Sequence, residues 1–356
     1  MFSGHLCLPI ATVLLLVAPA RPSCAALNWE RLPDLPDRIG LAGSYVGVSG
    51  GALLVAGGAN FPDKRPWDGG EKVWHDRIVA LAADATTWRD AGRLPEPAGY
   101  GVSLTLDDGL LLIGGGNAKR NFPEVRLLRW DGRALAIQAW PPLPRPLALA
   151  AGAIVGRTVY VAGGIDQPDA RRAQRVFYAL DLDAMAAGWR ALEPCPGAER
   201  ILATAAAHDG AFYLFGGARL VTDAAGASAR EQLRDAWRYT PAAGWKRLAD
   251  LPHSVVAAPS PAPEVGGKLL ILGGDDGTQV DLPPAAHRGF SRDVLAYDPA
   301  ADRWSRFGEM PFSFVTTPVA HWRGRIVLAG GEIHPGIRSP AVWRTTAKQT
   351  PRPPAP

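Results

Sequence analysis

The sequence predicts an all-β protein, a six-bladed β-propeller closed by pairing its N-terminal strand with its C-terminal blade. Three observations predict this fold. Apolar runs ending in a glycine pair recur six times, a Trp and then a Pro follow five of the six pairs, and the missing sixth set stands at the N-terminus. A ring of antiparallel four-stranded blades is built from short strands and tight turns, and each blade buries its apolar faces against its neighbours.

The glycine pairs set the period of the repeat. Six apolar runs end at Gly57-Gly58, Gly114-Gly115, Gly163-Gly164, Gly216-Gly217, Gly273-Gly274 and Gly330-Gly331. Successive pairs are 57, 49, 53, 57 and 57 residues apart, and a period of roughly 50 residues is that of kelch blades. Paired glycines let the chain leave the second strand of a blade without a side-chain clash.

The Trp positions predict how the ring closes. The repeat tryptophans that follow the first five pairs are Trp88, Trp140, Trp189, Trp245 and Trp304. No such Trp follows the sixth pair, but residues 29–36 read Trp-Glu-Arg-Leu-Pro-Asp-Leu-Pro. We therefore expect Trp29 to lie in the blade that contains Gly330, which leaves the ring without an open edge. These six Trp side chains are expected in the core.

The chain divides into three predicted segments. Residues 1–26 form a signal peptide, because an apolar stretch over residues 8–20 precedes small residues suited to cleavage. That stretch is too short to span a bilayer comfortably. Residues 27–347 form a single propeller domain and residues 348–356 a Pro-rich tail. The mature protein is expected to be periplasmic or otherwise exported, and free of the membrane after cleavage.

Composition and motifs narrow the function classes. The formal net charge is +4, but Lys and Arg are scattered and form no run, so no nucleic-acid partner is expected. No nucleophile elbow, Walker loop, His-Glu-x-x-His or Cys-x-x-Cys motif occurs, and we expect no metal and no cofactor. Asp275-Asp276-Gly277 resembles the start of a calcium loop but lacks its later acidic positions, so we interpret it as a turn.

Site residues are expected on one rim of the propeller. The loops that follow the glycine pairs and the loops that lead into the next blade share this rim, and variable loops on a rigid scaffold carry function. The candidates in these loops are Asn60, Phe61, Tyr100, Arg145, Arg200, Glu332 and Arg338. Arginines around one funnel suit an anionic, hydroxyl-rich ligand, because guanidinium binds carboxylate through two parallel bonds. Taken singly, each Arg is also explained as a solvated rim residue.

Three rim segments carry a family resemblance. Residues 331–338 read Gly-Glu-Ile-His-Pro-Gly-Ile-Arg, residues 56–61 read Ala-Gly-Gly-Ala-Asn-Phe, and residues 99–103 read Gly-Tyr-Gly-Val-Ser. With these motifs the chain resembles the N-acetylneuraminate epimerase (sialic acid mutarotase) family of six-bladed kelch proteins over roughly residues 28–345. The resemblance is to the cyclically permuted branch, because the Glu–Arg motif stands near the C-terminus here instead of mid-chain.

The resemblance implies a mutarotase that interconverts the anomers of N-acetylneuraminate or a related acid sugar. It implies Glu332 as the base and Arg338 as the carboxylate partner or electrostatic support, with Asn60, Phe61, Tyr100, Arg145 and Arg200 as substrate-binding candidates. Two positions depart from the family pattern. An expected Arg is replaced around Ala98, and an expected Glu is replaced by Gly116. These departures predict a different acid sugar if the replaced groups contact substituents of the sugar.

Other interpretations remain open at this stage. Glu332 and Arg338 could pair only to hold a loop, since such ion pairs are common and often contribute little. A non-catalytic glycan-binding propeller would keep the arginines without needing Glu332. A kelch protein-interaction propeller would bind a partner over the funnel. The sequence leaves the sugar and the oligomeric state undetermined.

Overall fold

The computed structural model describes residues 1, 27–222, 226 and 228–346. The predicted signal peptide, apart from Met1, and the predicted Pro-rich tail lie outside these residues, so both stay predictions. The regular structure of the described part consists mainly of short antiparallel strands, most of them arranged as six four-stranded blades. None of its helices is long and apolar enough to cross a membrane.

Twenty-eight strands and three 3₁₀ helices are found within the described ranges. The strands are β1 (Trp29–Leu32), β2 (Tyr45–Ser49), β3 (Ala52–Ala56), β4 (Ala59–Asn60), β5 (Val73–Trp74), β6 (Arg77–Leu81), β7 (Arg89–Arg93), β8 (Val102–Leu106), β9 (Gly109–Ile113), β10 (Val125–Trp130), β11 (Leu135–Trp140), β12 (Ala151–Val155), β13 (Thr158–Ala162), β14 (Phe177–Asp181), β15 (Arg190–Ala191), β16 (Thr204–His208), β17 (Ala211–Phe215), β18 (Ala218–Thr222), β19 (Ser228–Gln232), β20 (Ala236–Thr240), β21 (Gly244–Arg247), β22 (Glu264–Val265), β23 (Lys268–Gly274), β24 (Ser291–Asp298), β25 (Arg303–Glu309), β26 (Val319–Trp322), β27 (Arg325–His334) and β28 (Ile337–Thr345). The 3₁₀ helices are Pro66–Asp68, Met185–Ala187 and Pro284–Ala286.

The strands form six blades that we number I to VI along the chain. Blade I is β2-β3-β6-β7, blade II β8-β9-β10-β11, blade III β12-β13-β14-β15, blade IV β16-β17-β20-β21, blade V β22-β23-β24-β25 and blade VI β26-β27-β28-β1. Two further hairpins, β4-β5 in blade I and β18-β19 in blade IV, extend from the ends of second strands. The predicted six-bladed propeller is confirmed.

Closure occurs where the sequence predicts it. Strand β1 pairs antiparallel with β28, from Trp29 opposite Thr345 to Leu32 opposite Val342. Blade VI therefore combines three strands from the C-terminal end of the described chain with the first strand of the N-terminal end. Because β1 covers the open edge of β28, the outermost strand of the last blade is complete.

The core lies between neighbouring blades as six apolar clusters. Second strands such as β3 and β9 are buried along their whole length, whereas the outer strand β11 alternates between exposed and less exposed residues. All six repeat Trp side chains pack against these clusters, as predicted. Four of them also donate an indole N–H to a carbonyl of the preceding blade's last loop: Trp88 to Pro33, Trp189 to Pro141, Trp245 to Glu193 and Trp304 to Ala249.

A closed ring of backbone hydrogen bonds surrounds the propeller axis. One residue per blade, just before the innermost strand, donates its N–H to the equivalent carbonyl of the preceding blade over 2.7 to 2.9 Å. All six residues have a left-handed backbone, with φ between 54° and 68°. The ring residues are Gly43, Tyr100, Leu149, Leu202, Ala257 and Thr316. This ring joins every blade to both of its neighbours.

The glycine pairs fasten the blades just above this ring. Gly115 donates its N–H to the carbonyl of Leu147 in the loop of the next blade, and four of the other pairs repeat this bond. Gly114 and Gly115 have φ of 60° and 95°, and a Cβ at Gly115 would overlap the hydroxyl of Tyr45. Glycine is therefore required at this position for both its backbone conformation and its close packing.

Deleting residues 27–36 should unfold the protein. The deletion removes β1 and the buried Leu35, and it exposes the edge of β28. We expect loss of the cooperative thermal transition monitored by circular dichroism. The control Arg31→Ala removes an exposed ion pair with Asp34 and a cation–π contact with Trp343; both are weak at an exposed site, so the melting temperature should change little. An unchanged melting temperature after the deletion would contradict the closure described here.

Candidate functional site

A funnel-shaped cavity of about 620 Å³ opens above the ring of six backbone hydrogen bonds. Its volume lies within the range typical of small-molecule sites, roughly 300–1,000 Å³. Every blade contributes to its lining, and the ring residues Tyr100, Leu149, Leu202, Ala257 and Thr316 form part of its floor. The rim loops predicted from the sequence to carry the site therefore do surround one cavity.

Glu332 and Arg338 stand opposite each other in the hairpin between β27 and β28. The register of this hairpin shifts on both sides of Glu332, and such bulges re-aim side chains. Gly336, with φ of 77°, makes the turn, and its N–H donates to Glu332 Oε1 over 2.6 Å. Among the residues described, none forms a hydrogen bond with Glu332 Oε2. One carboxylate oxygen is thus held by the turn and the other is available to a ligand.

Arg338 is packed beneath the carboxylate. Only 3% of its side chain is exposed, and its Nη1 lies 3.3 Å from Glu332 Oε1. Its Nε donates to the carbonyl of Ala59 over 3.5 Å and its Nη2 to the hydroxyl of Tyr100 over 3.4 Å. The guanidinium carbon lies 4.8 Å from the ring centroid of Phe61. Arg338 is therefore fixed by several partners.

Lys72 is a cavity residue that the sequence analysis missed. Its Nζ lies 4.5 Å from the ring centroid of Tyr100 and 5.1 Å from that of Trp74, within the range of a cation–π contact. In the described part of the chain, no carboxylate lies within 4.0 Å of this ammonium group. Lys72 lines the cavity, so it presents an unpaired positive charge to a ligand.

The loop fold explains why Lys72 reaches the cavity. After Asn60 the chain leaves the rim, forms the 3₁₀ helix Pro66–Asp68, and returns as β5, where Val73 pairs with Asn60 and Trp74 with Ala59. Lys72 directly precedes this return. The signal in the sequence was a Lys two residues before a Trp in a loop that follows a glycine pair.

Phe61 and Tyr100 lie where the sequence analysis expected them, at the cavity beside Arg338. The structure brings these two residues together with Glu332 and Arg338 from blades I, II and VI. The hydroxyl of Tyr100 accepts a bond from Arg338, which leaves its own proton free to be donated to a ligand.

Asn60, by contrast, does not line the cavity. Its side chain is buried and fully bonded: its amide donates to Asp37 Oδ2 and to the carbonyl of Gly40, and its Oδ1 accepts from His75 Nε2 over 2.9 Å. Its polar atoms fix the path of the chain beneath the rim. Asn60 is therefore placed to support the rim and not to contact a ligand in the cavity.

The two predicted rim arginines also point away from the cavity. Arg145 is exposed, and its Nη1 donates to Gln174 Oε1 over 2.6 Å. Arg200 is 2% exposed, and it forms a two-pronged pair with Asp235, with Nη2 to Oδ2 at 2.6 Å and Nη1 to Oδ1 at 3.0 Å. Neither arginine lines the cavity, and the Asp235 carboxylate and the Gln174 amide that they bind do not line it either. We therefore do not retain them as substrate ligands.

The two departures from the family pattern are built into the packing. Ala98 is buried in the core cluster between blades I and II. Gly116 lines the cavity, and a Cβ at this position would overlap Oδ1 of Asn121. The Asn121 amide in turn donates to the carbonyl of Ile165 over 3.1 Å. Amide groups and backbone thus occupy this side of the cavity.

The described residues indicate neither a metal site nor a calcium-binding loop. Within the described ranges, no group of three or more His, Cys, Asp or Glu side chains is placed to hold a metal ion. At the Asp275-Asp276 segment, Asp275 Oδ1 accepts the N–H of Gly277 and Asp276 Oδ1 that of Thr278. Both aspartates therefore stabilise a turn, as the sequence analysis interpreted them.

Comparison with known proteins places the fold and the site in context. The chain matches the family described as N-acetylneuraminate epimerase over residues 22–137 and 140–283, and a kelch motif over residues 258–311. A solved structure described as "Structure of YjhT" aligns with a TM-score of 0.61 over 87% of this chain and 95% of that chain, at 16% identity. This likeness shows a shared fold.

Curated relatives carry the same family name. One named N-acetylneuraminate epimerase, from Yersinia enterocolitica, is 29% identical over 239 residues, which is 60% of this chain and 59% of that protein. Another of that name, from Brucella suis, is 38% identical over 132 residues, 32% of this chain and 33% of that protein. The chain thus spans from about a third to three-fifths of the length of these curated relatives.

The fold and the cavity define a six-bladed kelch propeller with an ion pair at the end of its last-blade hairpin. The chain belongs to the N-acetylneuraminate epimerase family. The matched ranges end at residue 283, before the segment that carries Glu332 and Arg338.

Replacing Arg200 by Leu should destabilise the protein at pH 7 and make its stability less sensitive to acid. Removing one partner of a buried ion pair typically lowers the free energy of unfolding by about 3–5 kcal/mol. Burial alone would raise the pKa of Asp235, but the hydrogen bonds and the charge of Arg200 lower it below its ordinary value. A lowered folded-state pKa contributes stability that is present above the ordinary aspartate pKa of about 4 and is lost as pH falls through the folded value.

Urea denaturation between pH 7 and pH 3 measures both effects. The parent should lose stability over the acidic part of this range, and the Arg200→Leu variant should be weaker at pH 7 and less sensitive to acid. The control Arg145→Leu, at an exposed site, should behave as the parent. Equal stability of the Arg200→Leu variant and the parent at pH 7 would contradict a structural role for the pair.

Proposed function

We propose that the protein is a mutarotase that interconverts the anomers of N-acetylneuraminate or a related acid sugar. The observation that carries this proposal is the Glu332 carboxylate, held at the cavity by Gly336 and Arg338 with its Oε2 free. Membership of the epimerase family supports the same reaction class. The unpaired cation Lys72 in the same cavity supports an acidic substrate.

The reaction requires proton transfer at two oxygens. Glu332 Oε2 takes the proton of the anomeric hydroxyl, whose oxygen then forms the carbonyl of the open-chain keto acid as the bond from the anomeric carbon to the ring oxygen breaks. The ring oxygen receives a proton from the Tyr100 hydroxyl, whose own lone pair is already engaged by Arg338. After rotation, the ring hydroxyl adds to the other face of the carbonyl, and both protons return along the same path.

Lys72, Arg230 and Arg338 are the cations that line the cavity, and Lys72 and Arg338 serve different purposes in this proposal. Arg338 is 3% exposed, forms an ion pair with Glu332 and donates hydrogen bonds to Tyr100 and a backbone carbonyl, so it supports the base. Lys72 has no carboxylate partner in the described structure and faces the cavity across the ring of Tyr100. Lys72 therefore holds the substrate carboxylate. This contact orients the sugar with its anomeric centre near blade VI. Holding the reacting groups close together and correctly oriented in this way lowers the barrier to reaction.

Glu332→Gln should abolish most of the catalysis while leaving the fold and substrate binding largely intact. The amide keeps the size of the side chain but cannot accept the proton, and loss of a positioned base typically lowers the rate by a factor of about 10² to 10⁴. Anomer exchange followed by NMR with and without protein measures the rate. The control Glu309→Gln, on the outer strand β25, should exchange as the parent does.

Two results would separate the remaining alternatives. If Glu332→Gln exchanges anomers as fast as the parent, Glu332 is not the base and its pairing with Arg338 only holds the loop. If the parent binds the sugar without accelerating exchange, a glycan-binding propeller replaces the mutarotase.

Lys72→Met should raise the substrate KM with a smaller effect on kcat. A hydrogen bond to a charged group contributes about 1.5–3 kcal/mol, so KM should rise about 10- to 100-fold. Lys72→Arg keeps the charge, and its KM should lie between those of the parent and of Lys72→Met. The decisive measurement is discrimination between the acid sugar and its methyl ester: the parent should prefer the acid, and Lys72→Met should not. The exposed control Lys64→Met should keep the preference, and a preference retained in Lys72→Met would refute this role.

A further inference from the structure

A second cavity, of about 390 Å³, lies apart from the funnel, and no residue lines both. We call it the side cavity. It is lined by residues of the segment 35–41, which enters blade I, and by residues on or next to strands β3 and β6. Its volume lies within the range typical of small-molecule sites, roughly 300–1,000 Å³. Trp74 lines the funnel and the adjacent His75 lines the side cavity, so the chain segment that joins β5 to β6 contributes to both.

Two arginines give the side cavity a net positive charge. Arg38 and Arg77 line it together with a single carboxylate, that of Asp37. This carboxylate is already engaged, because its Oδ1 accepts two backbone N–H groups of the following turn and its Oδ2 accepts from the Asn60 amide. Arg77 donates to Asp90 through Nε. Among the residues described, its two Nη groups and the side chain of Arg38 have no ion-pair or hydrogen-bond partner, so they can bind an anion.

His75 adds a hydrogen-bond acceptor whose identity is fixed by its neighbours. The Asn60 amide donates to Asp37 Oδ2 and to the carbonyl of Gly40, so its Oδ1 is the acceptor that lies 2.9 Å from His75 Nε2. The neutral imidazole therefore carries its proton on Nε2, and Nδ1 has a free lone pair. No hydrogen bond from the described residues reaches Nδ1, so this atom can accept one from a ligand hydroxyl.

The imidazole and one guanidinium are neighbours on the same face of the chain. His75, Arg77 and Val79 lie two residues apart along β6 and the residues before it, and all three line the side cavity. Alternate side chains of an extended segment lie on one face, so a hydroxyl at His75 and a carboxylate at Arg77 belong to adjacent parts of one ligand. Val79 pairs with Val55 of β3, which also lines the cavity, and Ile39 lines it with 39% of its surface exposed. These side chains offer an apolar surface to the rest of the ligand.

We propose that the side cavity is a second ligand site, which binds a 2-hydroxy carboxylate with an apolar body. Its carboxylate is held by Arg38 and Arg77, its hydroxyl donates to His75 Nδ1, and its apolar body lies against Ile39 and Val79. This inference does not rest on the proposed function, because the side cavity shares no lining residue with the funnel.

Four ligands separate the three contacts when their dissociation constants are measured by titration calorimetry. The first, 3-phenyllactate, carries all three groups; its methyl ester lacks the charge, 3-phenylpropanoate lacks the hydroxyl and lactate lacks the ring. Relative to 3-phenyllactate, the dissociation constant should be about 10-fold higher for the ester and about 2- to 10-fold higher for 3-phenylpropanoate. For lactate it should be about 100-fold higher, because the apolar body is missing.

Three variants show where the ligand binds. Arg38→Met removes an unpaired charge at an exposed position, so it should fold as the parent does, bind 3-phenyllactate about 10-fold more weakly and lose the preference for the acid over the ester. The matched control Arg89→Met, at an exposed arginine that does not line the side cavity, should bind as the parent does. Lys72→Met changes the charge of the funnel alone, so its affinity for 3-phenyllactate should equal that of the parent.

Three results would overturn the second site. One is the absence of 3-phenyllactate binding by the parent, and another is equal affinity of the parent for the acid and its ester. The third is loss of binding in Lys72→Met with binding retained in Arg38→Met, which would place the ligand in the funnel. None of these results bears on anomer exchange, which is measured separately.

Discussion

The ring of six backbone hydrogen bonds around the axis is the constraint on which the rest of the structure depends. Each ring residue donates its N–H to the ring carbonyl of the preceding blade, and Gly43 of blade I completes the ring by donating to Thr316 of blade VI. The ring therefore closes only when all six blades are present. Its left-handed residues turn the chain from the rim down into each innermost strand. The ring also fixes the width of the funnel floor, and the loops above it are therefore free to vary in length and chemistry.

The architecture could be predicted from the sequence because its signals are local and repeated. A glycine pair such as Gly114-Gly115 marks the end of a second strand, and a Trp such as Trp88 marks an outer strand, at a spacing that few other folds share. The closed ring could not be predicted in this way. Its members are a glycine, a tyrosine, two leucines, an alanine and a threonine, and a backbone interaction that accepts such different side chains leaves no pattern of residue types.

The candidate site could be predicted only in part, for a related reason. Glu332, Arg338, Phe61 and Tyr100 adjoin strand ends, where the propeller geometry sets the direction of a side chain, and all four meet at the cavity. Arg200 and Arg145 belong to loops on the same rim, but partners outside the cavity determine their orientation. Lys72 reaches the cavity only because the β4-β5 hairpin folds back, and residue type alone does not reveal such a return.

The blade that closes the propeller also carries Glu332 and Arg338, so the site is complete only after that blade has been made. Glu332 and Arg338 lie on β27 and β28, and β28 takes the first strand of the chain as its outer neighbour. During synthesis the ribosome makes five blades before Glu332 and Arg338 are added. Until then Phe61 lies beside an incomplete funnel. A chain that ends before β27 lacks both Glu332 and Arg338, and a chain clipped after β1 lacks the outer strand of blade VI. The complete cavity, with residues from all six blades, therefore exists only after the last blade has been made.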